Sequence, residues 1–159
     1  EFLAFCGAVG LGRLLAEGDD TLLPVLRRCA SDPRWRMREG VAMALQRLGD
    51  ADMPRLVAAA RDWARGTPLE QRAAAAALCE PRLLGAPAHA RATLRILDGI
   101  TASIARVKDR RSDDFRALRQ GLGYCWSVAV AALPAEGKPL MENGCRIRIP
   151  TWAGSCART

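Results

Sequence analysis

Four arginines and a tryptophan crowd into one stretch of this chain, Arg34, Trp35, Arg36, Arg38 and, further on, Arg47. Guanidinium groups hold carboxylates and phosphates through a planar fork of N–H donors, and an indole beside them offers a stacking surface. That chemistry suits an acidic peptide side chain or a nucleic-acid phosphate. Arg72, Arg116 and Arg119 repeat the theme further along. Arg38 and Arg72 have a second, structural use, bonding between adjacent turns of a repeating fold.

Other reactive residue types are scattered. Six cysteines (Cys6, Cys29, Cys79, Cys125, Cys145, Cys156) show no CxxC spacing, and four lie in apolar helical stretches, where a free thiol acts as a small hydrophobe. A reducing, cytoplasmic setting fits that usage. His89 is the only histidine, which removes most zinc sites and any nucleophile–histidine dyad not built on it. Gly121-x-Gly123 falls in mid-helix without the strand-to-helix turn of a nucleotide loop, so these glycines are expected to admit a neighbouring helix. The loop Lys108–Asp114 mixes both charge signs and reads as a solvated connector, with Asp114 as N-cap of the next helix. Tyr124 and Trp126 are expected in the core. No catalytic residue, metal or small-molecule cofactor is assigned.

Composition points to helices. Half of the 159 residues are apolar but only eight are aromatic, and alanine, the best helix former, dominates. The formal charge is +7, yet residues 1–80 balance at 11 basic and 11 acidic side chains; the excess lies beyond them. Arg146, Arg148 and Arg158 in the last sixteen positions carry much of it, so the body is only weakly basic. Lys108 and Lys138 are the only lysines, a preference for arginine read as coding bias. Phe2–Leu11 is apolar like a signal core, but no basic segment precedes it and Arg13 interrupts it, so no membrane span is expected. Opening at Glu1 inside a helical pattern, the chain is expected to have lost upstream helical units.

Apolar spacing predicts helices over Leu3–Glu17, with Phe5, Val9 and Leu15 inward; Thr21–Ala30, presenting Leu22, Leu23, Val25, Leu26 and Cys29; Arg34–Leu48, burying Met37, Val41, Ala44, Leu45 and Leu48; and Met53–Ala64. Further helices run from Thr67-Pro68 to Glu80, over Ala88–Val107 and over Phe115–Ala132. Asp32 is expected to cap the third, with Pro33 at its first position. A period emerges: Arg38-x-x-Val41-Ala42 recurs as Arg72-x-x-Ala75-Ala76 at a shift of 34, Pro33 and Pro68 are 35 apart, and Leu23 and Leu56 are 33 apart. Helix pairs at such a period stack, because neither hairpin buries its apolar face alone. A third, longer unit spans Leu94 to Leu133.

The run from Asp32-Pro33-Arg34 through Met37-Arg38-Glu39, Ala44-Leu45 and Leu48-Gly49-Asp50 resembles the HEAT-repeat consensus. A second unit matches through Arg72, Ala75, Ala76 and Leu78, and a third, loosely, through Arg119 and Leu122. The resemblance covers residues 1–143 and implies an all-α, α-α superhelix of helical hairpins. It also implies a non-enzymatic scaffold whose concave face, lined by second helices, binds a protein partner. Arg34, Trp35, Arg36, Arg38, Arg72, Arg116 and Arg119 are the candidate partner-binding residues. Phe115-Arg116-x-x-Arg119-x-x-Leu122-Gly123-x-x-Trp126 is similar to a repeat of the bacterial DNA alkylation repair proteins of that superfamily. Those enzymes excise alkylated bases with Trp and Asp side chains. That resemblance implies nucleic acid as the competing partner, with Trp35, Trp63 and Trp126 beside Asp32 or Asp62. Residues 144–159 break the helical period. Codons compatible with Asn143 to Thr159, read one frame over, can spell another Asp-Pro turn and Met-Arg-Glu, so this tail reads as a frameshifted remnant of a further repeat.

Overall fold

A computed structural model of the chain describes residues 1–146. Eight α-helices are present there: α1 (Phe2–Ala16), α2 (Leu23–Cys29), α3 (Trp35–Ala51), α4 (Met53–Trp63), α5 (Pro68–Leu78), α6 (Pro87–Ile104), α7 (Asp113–Ala132) and α8 (Pro134–Arg146). Short 3-10 turns, Asp20–Leu22 and Pro81–Leu84, lead into α2 and α6. Among the described residues there is no strand, so the fold is all-α. The tail reading falls on residues that, from 147 onward, lie outside the described ones.

The helices pack as successive hairpins, α2 with α3, α4 with α5 and α6 with α7. One layer runs α1, α3, α5, α7, each packed on the next; α4, α6 and α8 follow one another in the second. Between the layers lies a continuous core that includes Leu26, Val41, Leu45, Leu48, Leu56, Leu78, Leu97, Ile100, Leu118 and Trp126. All five side chains expected inward from α3 are buried. From α2 only Leu26 is fully buried, because that helix is just seven residues long. On α1, Leu15 is buried while Phe5 and Val9 are half-buried, since α3 covers one side of it and Phe2 and Leu3 face water.

Local signals start most helices. Thr67 and Glu70 form a reciprocal capping box on α5, with Pro68 in its first turn. The Asp52 carboxylate accepts from Arg55 N–H at 3.0 Å to cap α4. Two expected caps differ. α3 begins at Trp35, and Asp32 instead accepts the Arg34 N–H at 2.8 Å, closing a turn ahead of the helix and gripping the Arg34 side chain. The α7 cap is the Ser112 hydroxyl, which accepts from Phe115 N–H and leaves Asp113 and Asp114 in the first turn.

Helix α8 is not among the helices that apolar spacing predicts, and it contains Pro134, Gly137, Pro139 and Gly144, residue types of low helix propensity. The glycines are contact points. A Cβ on Gly137 would lie 2.9 Å from Val130 Cα on α7, and one on Gly144 would lie 3.1 Å from Thr101 Cγ2 on α6. The α1–α3 contact is built similarly: a Cβ on Gly12 would stand 2.5 Å from Ala44 Cα, and one on Gly40 would stand 3.2 Å from Ala8 Cβ.

Ion pairs tie one unit to the next at close to the repeat length. Arg27 binds Asp62, 35 residues on, and also Glu70; Arg55 reaches back 35 residues to Asp20; Arg72 reaches back 33 to Glu39; and Arg82 reaches back 32 to Asp50. Arg91 on α6 pairs with Glu136 on α8. Individually such exposed pairs add about 0.2–1 kcal/mol. Five arginines, Arg27, Arg55, Arg72, Arg82 and Arg91, are thus spent on joining one helical unit to another.

Candidate functional site

The layer α3–α5–α7 carries a groove of about 630 Å³ on its outer face. Each helix contributes one stripe at helical spacing: Trp35, Arg38, Glu39, Ala42, Met43 and Gln46 from α3; Arg72 and Ala76 from α5, with Cys79 and Glu80 at its end; Ala117, Gln120, Gly121, Tyr124 and Cys125 from α7. The groove is open because small residues fill the positions between the larger ones. Gly121 makes room for the Arg72 stem, whose Cγ would lie 3.3 Å from an added Cβ, and not for a helix backbone as expected; nothing lies within 4 Å of such a Cβ on Gly123.

Most polar groups lining the groove are held by the protein itself. Arg38 Nη1 donates to the carbonyls of Asp32 at 2.8 Å and Pro33 at 3.0 Å, closing the turn before α3. Arg72 Nη2 donates to Glu39, and Gln46 Nε2 donates to the Ala76 carbonyl at 3.2 Å. Glu80 pairs with Arg82 at 2.9 Å. Arg38 Nε and Arg72 Nη1 are buried with no hydrogen-bond partner among the described residues. Cys79 and Cys125 are both buried. Their mutual hydrogen bond, and then burial, push the Cys79 thiol well above its ordinary value, which favours the protonated, unreactive form.

The apolar rim is accessible. Trp35 is 56% exposed, Tyr124 66% and Met43 43%. The Arg36 guanidinium lies over the Trp35 ring, 4.8 Å from its centroid. Tyr124 was expected in the core with Trp126, but the two part company. Trp126 is 2% exposed and donates its indole N–H to Thr101 Oγ1 at 3.0 Å, whereas Tyr124, two residues earlier, points to the other side of α7.

Of the seven candidate partner-binding residues, the fold brings Trp35, Arg38 and Arg72 into the groove. Arg34 is folded onto Asp32, holding that carboxyl down at about 2 through side-chain and backbone hydrogen bonds. Arg36 approaches Glu1 at 3.7 Å. Arg116 pairs with Asp113 at 3.2 Å and donates to the Arg111 carbonyl. Arg119 is half-buried on α7. Sequence reading missed Tyr124, Met43, Gln46 and the carboxylates Glu39 and Glu80. The stripe Trp35, Glu39, Ala42, Met43, Gln46, opposite the apolar one on α3, was the available signal.

The residue types named for base excision are dispersed. Trp63 is 3% exposed and Trp126 2%, so neither presents a ring face to a base. Asp32 is engaged by Arg34 and Asp62 by Arg27. His89 Nδ1 lies 3.2 Å from the Leu83 carbonyl, and among the described residues no three His, Cys, Asp or Glu side chains are grouped to hold a metal. No described helix is long and apolar enough to cross a membrane. Comparison of the chain with protein-family models, with curated proteins and with solved structures returned no match.

Proposed function

We propose that this chain is a non-enzymatic helical-repeat binding module that receives a segment of a protein partner in the α3–α5–α7 groove. The observation that carries the reading is the exposed rim of Trp35, Met43 and Tyr124 around a groove whose polar groups are largely bonded to one another. Exposed aromatic and methionine side chains around a depression are the composition of recognition surfaces, where the stiff rings of Trp and Tyr supply area at low entropic cost and Met adapts its shape. A groove built from three successive second helices is also the surface on which stacked helical hairpins present their partners.

A display library of random peptides, selected on the immobilised chain, tests this. Convergent sequences whose retention is lost in the Trp35→Ala/Tyr124→Ala double variant are the expected result. No convergence, or binding indifferent to those two substitutions, would overturn the proposal. The competing reading, a DNA binder of the alkylation-repair type, requires retention of a labelled duplex at low salt that falls steeply as salt is raised.

A further inference from the structure

We propose that the open side of α1 is a contact between two copies of this chain, paired antiparallel about a two-fold axis. α1 is apolar on every side, and Arg13 is its only charged residue. A helix of that kind is covered all round once its protein is fully assembled. Here only one side is covered. Ala8 and Gly12 lie against α3 and Leu15 in the core, while Leu3 is 85% exposed, Phe2 71% and Leu14 47%. Gly7 and Gly10 share the open side, and nothing lies within 4 Å of a Cβ added to either. Each lowers helix propensity, and the single copy holds no contact that offsets the loss. The charged groups nearby, Arg13 and Glu17, pair with each other at 2.6 Å on the margin of this face.

Spacing selects the occupant. Leu3, Gly7, Gly10 and Leu14 follow one another at steps of four, three and four, so they form one seam along the helix. The seam reads the same from either end. Turned over by a two-fold axis passing between Gly7 and Gly10, a second copy sets its Leu14 on Leu3 and its Gly10 on Gly7, and the reverse. The leucines close the two ends of the contact, and the glycines let the backbones meet at its centre. In-register parallel pairing would set Glu17, the next position of the seam, against Glu17 of the second copy. Antiparallel pairing carries those carboxylates to opposite ends and sets the helix dipoles in the favourable sense. The α1–α3 contact differs in kind: there the helices run the same way, Gly40 against Ala8 and Ala44 against Gly12. Two such helices, each 15 residues and about 22 Å long, bury an area near the lower bound of about 1,000 Å² for a specific contact, so the dimer is expected to be reversible. No residue lining the α3–α5–α7 groove lies on α1, so pairing leaves both grooves open.

Sedimentation velocity of the full chain, from low micromolar to submillimolar concentration, tests this. The expected result is a monomer that converts to a dimer, and to nothing larger, as concentration rises. Leu3→Glu and Leu14→Lys are each expected to weaken self-association by about tenfold or more, because either places a charge in the seam on both copies. Mixing the two variants restores the dimer, since the new carboxylate then faces the new ammonium while the remaining leucines still meet. That rescue requires antiparallel pairing. Gly10→Gln has room in the single copy, so it is expected to weaken dimerisation while the dilute chain keeps the parent's circular dichroism spectrum and melts no lower. A chain that stays monomeric at every concentration leaves the open side to some other occupant and overturns the proposal. So does a dimer that survives all three substitutions, or a mixture of the two charged variants that stays monomeric.

Discussion

Alanine at Gly12 and alanine at Gly10 should shift stability in opposite directions, although the two positions lie on one helix. Both substitutions relieve the chain of a helical glycine, which is worth about 0.5–1 kcal/mol in favour of the folded state. At Gly10 nothing lies within 4 Å of the added Cβ, so that gain stands alone. At Gly12 the same carbon would sit 2.5 Å from Ala44 Cα and 2.7 Å from Ala44 O, both backbone atoms that no rotamer change moves aside. Helices α1 and α3 must then separate by roughly 1 Å, an overpacking cost of about 1–3 kcal/mol. Because helix propensity cancels between the two variants, their difference reports the close approach itself. Urea unfolding followed by far-ultraviolet circular dichroism should show Gly10→Ala more stable than the parent and Gly12→Ala less stable, about 1–3 kcal/mol apart, with unchanged slopes. If Gly12→Ala equals or exceeds Gly10→Ala, the α1–α3 register described above is wrong.

Trp126→Phe removes the indole donor from Thr101 and leaves a void beside α6, so it should cost about 2–4 kcal/mol; a loss below about 0.5 kcal/mol in urea titration would refute the hydrogen bond's role. Glu70 is held below its ordinary value, first by the Arg27 hydrogen bond and then by the Thr67 backbone N–H, against the opposing effect of burial. Its contribution is therefore present above its unfolded value of 4.5 and is lost as pH falls through the lower folded one. Thermal melts at about pH 6 and about pH 3 should show Glu70→Gln losing less than the parent on acidification, and parallel losses would contradict this. Trp35→Ala/Tyr124→Ala should change stability by no more than about 0.5–1 kcal/mol, because both side chains are exposed; a larger drop in the melt would place them in the core after all.

The apolar stripes announced the helices because a 3.6-residue period is local. Val41, Leu45 and Leu48 mark the buried face of α3 without help from elsewhere. What depended on distant neighbours was hidden. Gly137 and Gly144 look like helix breakers until α6 and α7 are seen pressing against them. Tyr124 and Trp126 look alike in sequence, but two residues are about 200° of helical rotation, enough to part a core side chain from a groove side chain. The arginines were visible as a cluster, while their pairings were not, whether local, as for Arg34 with Asp32 and Arg116 with Asp113, or about one unit away, as for Arg72 with Glu39, so the sequence suggested free cations where the fold shows paired ones. That Trp35 is available on the surface was legible; the carboxylates lining the same groove were not, since nothing in their spacing sets them apart from other surface acids.

The ties between units bear on how such a chain can lengthen. Asp20, Glu39 and Asp50 each wait for an arginine roughly one unit downstream, at Arg55, Arg72 and Arg82. Yet the residues 34 positions on from those acids are Pro54, Ala73 and Leu84, so the second unit does not offer the same acids to the third. A unit copied in phase would fit by its apolar core while its guanidiniums met no matching acid, and new pairs would have to be acquired one junction at a time.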